Sequence, residues 1–166
     1  MLVLGVDPGS VRTGWALVEG TASSPVMVRA DVISLPRRLA FSMRLAALQE
    51  QFDRVLDLQS PDVAVVESPF HGINARSALQ LAHARGVILA ALGQRGIPVE
   101  EYSPATIKKT VTGSGRADKD QVRRMVQAVL AVPLKVGESD LSDALAAAYC
   151  HLAHGALRAA IERSEP

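Results

Sequence analysis

Asp7 directly follows the apolar run 2–6, and Glu67 directly follows the apolar run 63–66. Short runs of this kind, almost wholly apolar, read as central strands, so each carboxylate stands at the C-terminal edge of a sheet. Asp140 and Asp143 open the last apolar-periodic segment three residues apart, hence on one face of a helix. Brought together, four carboxylates repel one another and resist ionisation, and a bound divalent cation reverses that. A ligand set made only of oxygen, with no cysteine and no obligatory histidine, points to Mg²⁺ or Mn²⁺. Two such ions, roughly 3.5–4 Å apart, can activate a water and stabilise the leaving oxygen in phosphodiester cleavage. Each acid also has a plainer reading. Asp7 fits an Asp-Pro-Gly turn, Glu67 an ordinary strand end near Pro69, and Asp140 and Asp143 helix-start residues that complement the dipole. The joint pattern favours the chemical reading, because two acids directly follow buried strands as well.

The elements that must position these acids follow from periodicity and turn chemistry. Residues 2–6, 14–19 and 26–34 read as strands, separated by Asp7-Pro-Gly9 and by the turn-like stretch 20–25. Residues 37–59 read as a helix with Leu45, Leu48, Phe52, Val55 and Leu56 on one face. A strand at 63–66, a helix at 74–95 closed by Gly96 and a strand at 97–102 follow, then helices near 104–111, 118–131 and 140–161. Three consecutive strands pair as an antiparallel meander, and the two that each follow a helix add in parallel. The expected fold is therefore α/β: a five-stranded mixed sheet with helices on both faces. No repeat, long linker or low-complexity stretch interrupts it, so residues 1–166 read as a single domain.

Composition narrows the class. The chain has 166 residues, 48% apolar and 21% charged, which is too apolar for a disordered chain and long enough for a substantial core. No apolar stretch reaches the roughly 18 residues of a membrane span, and the N-terminus lacks the basic flank and cleavage site of a signal peptide. The lone cysteine, Cys150, fits a reducing compartment and a small core residue, so a cytoplasmic location is expected. Net charge is only +1, yet residues 104–124 hold six Lys or Arg against Asp118 and Asp120. This local excess marks a positive face, on which Lys109 and Arg116 are candidate DNA contacts, as is Arg76 at the start of the second long helix. Solvated basic helix faces explain the same pattern equally well. Trp15 and Tyr102 read as packing residues, and His151 and His154, three apart with no third ligand nearby, as surface or partly buried histidines. The segment 77–92 is apolar on more than one side (Leu79, Leu81, Val87, Ile88, Leu89, Leu92), which suits a two-fold contact as well as deep burial.

Several stretches carry a family resemblance. Leu4-Gly-Val-Asp-Pro-Gly-Ser10 with Thr13-Gly14, Val66-Glu-Ser-Pro-Phe70 with Asn74, Ser77-Ala-Leu79 and Ala84-Arg-Gly86, and Ser139-Asp-Leu-Ser-Asp-Ala-Leu145 resemble RuvC-type Holliday-junction resolvases from residue 2 to about residue 151. The resemblance implies a ribonuclease H-like fold and a catalytic, metal-binding tetrad of Asp7, Glu67, Asp140 and Asp143. It further implies Mg²⁺, with Mn²⁺ as substitute, at two ions per site. Some relatives carry histidine where this chain has Asp140. The implied activity is symmetrical nicking of two opposite strands of a four-way junction during recombination and repair, with a preference for particular short sequences. A homodimer and a branch-migration motor complex of the RuvA/RuvB type are the implied partners. By the same resemblance Lys108 and Lys119 touch the phosphate backbone near the scissile bond, and Phe70 stacks on a base at the junction. For Phe70 a core-facing loop position is the plainer alternative.

Two competing readings frame this expectation. Asp7 to Gly14 also matches the Asp-x-Gly-x-x-x-x-Gly phosphate loop of actin-like phosphotransferases, but 166 residues cannot supply their two lobes. A junction-binding protein without catalysis has no reason to hold four carboxylates in a site that repels phosphate.

Overall fold

A computed structural model of the chain describes residues 1–68 and 74–162. Five strands, β1 (Leu2–Asp7), β2 (Arg12–Thr21), β3 (Ser24–Ser34), β4 (Val63–Glu67) and β5 (Val99–Tyr102), form one sheet in the order β3-β2-β1-β4-β5. β1, β2 and β3 pair antiparallel; β4 joins β1 and β5 joins β4 in parallel. The helices are α1 (Phe41–Leu58), α2 (Ala75–Gln94), α3 (Pro104–Thr112), α4 (Lys119–Leu130) and α5 (Ser139–Glu162).

The period-2 alternation of the central strands divides the core into two clusters. Val3, Ala16, Val18, Val63 and Val65 face α3, α4 and α5, where Val111, Val126, Leu145 and Cys150 meet them. Leu4, Val6, Trp15, Leu17, Ala64 and Val66 face α1 and α2, where Leu48, Phe52, Ile88 and Leu92 meet them. β1 and β4 are thus covered on both faces, which is why they read as unbroken apolar runs.

α1 starts at Phe41, four residues later than the apolar spacing suggests. Pro36 accepts from the Leu39 N–H in a turn, and Ala40 is extended, so Arg37 and Arg38 belong to the connection rather than the helix. α2 opens where Asn74 Oδ1 accepts from the backbone N–H of Arg76 and Ser77. Its apolar residues are divided: Ile88 and Leu92 lie wholly in the core, whereas Leu79 is 61% exposed. No helix among the described residues is long and apolar enough to cross a membrane.

Candidate active site

Strand register brings the first two acids together. Val6 pairs with Val66 across β1 and β4, so Asp7 and Glu67 end neighbouring parallel strands side by side. Alternation sends both side chains to the face covered by α5, because Val3, Val63 and Val65 already point there. Across the other edge of β1, Asp7 pairs with Gly14.

Gly14 decides where α5 sits. A Cβ on Gly14 would lie 2.0 Å from the carbonyl oxygen of Asp140, and one on Gly5 the same distance from that of Ala144. Only bare backbone lets the first turns of α5 rest directly on β1 and β2. The Asp140 backbone is thereby pressed against the residue paired with Asp7, and Asp143 follows on the same helical face. Ahead of Gly14, fully buried Thr13 donates through Oγ1 to the Gly9 carbonyl and accepts from the Gly9 N–H. Those two bonds pin the Asp-Pro-Gly loop that leaves Asp7.

The electrostatics record this crowding. Burial, then Asp143, Glu67 and Asp140, push the Asp7 carboxyl up to about 8, with Lys119 working against them. Burial and Asp143 push Glu67 up to about 7, opposed by Lys119 and Lys108. Burial also raises Asp143, against the pull of Lys119 and Lys108. The helix pair carries direct counter-charges. Arg12 Nε meets Asp140 Oδ2 at 2.5 Å, and Lys119 Nζ stands 3.5 Å from Asp143 Oδ2. No group of three or more His, Cys, Asp or Glu among the described residues already forms a cage for an ion. The set is nonetheless suited to a hard cation. Its donors are all carboxylate oxygens, and their mutual repulsion is the charge excess that a divalent ion removes.

Of the basic residues expected near this site, Lys108 and Lys119 are brought to it, as their effect on the carboxylates shows. Lys109 instead lines a hollow between α3 and α5 with Thr106, Thr110, Ala153 and His154. Arg116 is exposed in the α3–α4 connection, its N–H donating to Ser114 Oγ, and Arg76 is exposed in the first turn of α2. Phe70 lies outside the described residues. His154 stacks on Tyr102 and bonds Thr110 Oγ1, while His151 Nδ1 shares a hydrogen bond with the Tyr102 hydroxyl. Arg12 is the residue that sequence reasoning passed over. Its signal was position: a cation two residues before the glycine that pairs with Asp7.

A mixed sheet with acids at the ends of its central strands, completed by acids from the final helix, defines the ribonuclease H-like nucleases. The model of the family described as crossover junction endodeoxyribonuclease RuvC matches residues 3–151. A protein of that name from Moorella thermoacetica is 41% identical over 151 residues, 91% of this chain and 90% of the relative. One from Anaeromyxobacter dehalogenans is 44% identical over 157 residues, 94% and 83% of the two chains. The chain belongs to the RuvC family. Among solved structures, Thermus thermophilus RuvC in complex with a Holliday junction substrate superposes with a TM-score of 0.88 at 28% identity, covering 95% of this chain and 96% of that one. The yeast mitochondrial Holliday junction resolvase, at 14% identity, shares the fold with a TM-score of 0.68 over 93% and 78% of the two chains.

Proposed function

We propose that this chain hydrolyses phosphodiesters of a four-way DNA junction at a divalent-metal site formed by Asp7, Glu67, Asp140 and Asp143. As a member of its family the chain is a Holliday-junction-resolving endonuclease of recombination and repair. What the reading adds is the site and its mechanism. The observation that carries it is the crowding of the half-buried Asp7 carboxyl at its strand end, where desolvation and then Asp143, Glu67 and Asp140 push it up to about 8.

Held by these four carboxylates, Mg²⁺, or Mn²⁺ in its place, would activate the attacking water and neutralise the leaving oxygen, with two ions per site. Asp7 and Glu67 hold that charge from the rigid strand side, Asp140 and Asp143 from the helix side. Lys108 and Lys119 orient the backbone of the scissile strand by contacting its phosphates, and Lys109, Arg116 and Arg76 extend the contact along the arms. Phe70, three residues past Glu67, stacks on an unpaired base at the junction centre.

Junction geometry supports a homodimer, since two equivalent strands call for two sites related by a two-fold axis. The α2 surface around Leu79 and Leu81 is the proposed contact. Ile88, being fully buried, belongs to the core instead. A branch-migration motor of the RuvA/RuvB type, a cytoplasmic location and one nuclease domain spanning residues 1–166 complete the reading.

The test is cleavage of a synthetic four-way junction with and without Mg²⁺. Paired nicks that need the metal and vanish in Glu67→Gln are expected. Metal-independent cleavage, or near-normal turnover of the purified variant, would sink the tetrad.

A further inference from the structure

We propose that Arg12 makes metal loading of this site depend on DNA. Without DNA its guanidinium supplies the positive charge at Asp140 and competes with a divalent cation; when DNA is seated, the same guanidinium turns to a phosphate, and cation and DNA reinforce each other. This rests on the reading above that the carboxylates take a divalent cation.

The argument begins with what cannot move. The Asp140 backbone is held against Gly14, with no room between them even for a Cβ, so Asp140 cannot retreat from Asp7 to escape repulsion. Its charge has to be answered where it stands. Arg12 answers it from two residues away on β2, Nε to Oδ2 at 2.5 Å.

The guanidinium, by contrast, is free to move. The Arg12 side chain is 50% exposed. Among the described residues its only hydrogen bond runs from Nε, leaving both terminal nitrogens with their donors unused. A guanidinium held by one edge, with the remaining fork open beside a cluster of acids, is suited to bidentate capture of a phosphate.

A unit positive charge at this distance from the ligand set lowers the affinity for a second cation. A phosphate placed against Arg12 removes that penalty. Metal and DNA are then thermodynamically coupled through one side chain, and linkage requires each to raise the other's affinity by the same factor. The second counter-ion, Lys119, stands 3.5 Å from Asp143 and is 72% exposed. It also acts on Asp7 and Glu67, and it is unchanged in all three proteins compared below, so it does not confound the Arg12 comparison.

The experiment uses the full chain and three proteins: wild type, Arg12→Met and Arg12→Lys. Melting curves first establish equal folding, as expected for a half-exposed side chain. Mn²⁺ alone is then titrated by calorimetry in the absence of DNA. Arg12→Met should bind it about two- to five-fold more tightly than wild type, the range open to a partly exposed ion pair, and Arg12→Lys should match wild type. Binding of a four-way junction is measured next, with Ca²⁺ in place of the cleavage metal. There the order reverses: Arg12→Met should bind several-fold more weakly, with a salt slope lower by about one, and Arg12→Lys should recover part of the loss. This crossing of the two affinities is the signature, since a merely structural arginine would move both the same way or neither. Equal Mn²⁺ affinity in wild type and Arg12→Met, or equal junction affinity, overturns the proposal while leaving the metal site intact. No Mn²⁺ binding by any of the three overturns the metal site and the proposal together.

Discussion

The two halves of the carboxylate site hold their charge in different ways. Asp7 and Glu67 extend from strands covered on both faces, and neither has an ion-pair partner among the described residues; crowding and burial push both up toward neutrality. Asp140 and Asp143 extend from the start of a helix, and each stands beside a cation from another element. The strand half is rigid and only partly compensated, by Lys119 and Lys108 without direct ion pairs, whereas the helix half is answered by directly paired side chains. A site built this way stores its demand for positive charge in the sheet and keeps its adjustable parts at the rim.

The largest test of that contrast is Asp7→Asn. Cleavage should fall about 100-fold or more, roughly 3 kcal/mol of barrier, while junction binding is retained, because affinity comes from phosphate contacts. Gel-shift and nicking assays on one preparation read both quantities. Gly14→Ala strikes the seam between the halves. Its Cβ would lie 2.0 Å from the Asp140 carbonyl, so α5 must shift, with an expected loss of about 3 kcal/mol in denaturant unfolding and a fall in turnover.

A pH series isolates the strand half. Asp7 and Glu67 sit near 8 and 7 in the folded chain, against 3.8 and 4.5 ordinarily. The folded state therefore binds more protons than the unfolded state between those limits. The stability these groups lend is complete below about pH 4 and is lost as pH rises toward 8. The metal-free protein should melt roughly 5 °C lower at pH 8 than at pH 5, and either Mg²⁺ or Asp7→Asn should flatten the trend. A melt that rises across this window would contradict the strand half's crowding.

The smallest effects belong to the basic residues. Lys108→Ala and Lys119→Ala should each lower the salt slope of junction binding by about one and also slow cleavage. Lys109→Ala and Arg116→Ala should change the slope by less and leave the cleavage rate of bound junction unchanged.

Much of this was legible because burial writes a strong pattern. Residues 2–6 and 63–66 are apolar on both sides, which marks central strands, and the acid after each run is then at a sheet edge. The starts of α2 and α4 fall within a residue of the expected 74 and 118, and there Asn74, and Asp118 with Gln121, cap the helices. The start of α1 was not legible. Arg37 and Arg38 are good helix formers, and only the turn at Pro36 keeps them out. Nor was the division of α2, since periodicity shows how much apolar surface a helix has but not which part the core takes. Arg12 was missed for a related reason. An ion pair between residues 128 positions apart leaves no local trace in a sequence.

That separation has a consequence for how the protein is made. Synthesis runs from the N-terminus, so the ribosome releases β1 and β2 long before it has built α5, and the first half of the acid set waits for the second. A nascent or truncated chain lacking α5 holds no complete set of carboxylates and has bare glycines where the helix should rest. On the proposed reading of the site, the nuclease stays inactive until its last long helix docks.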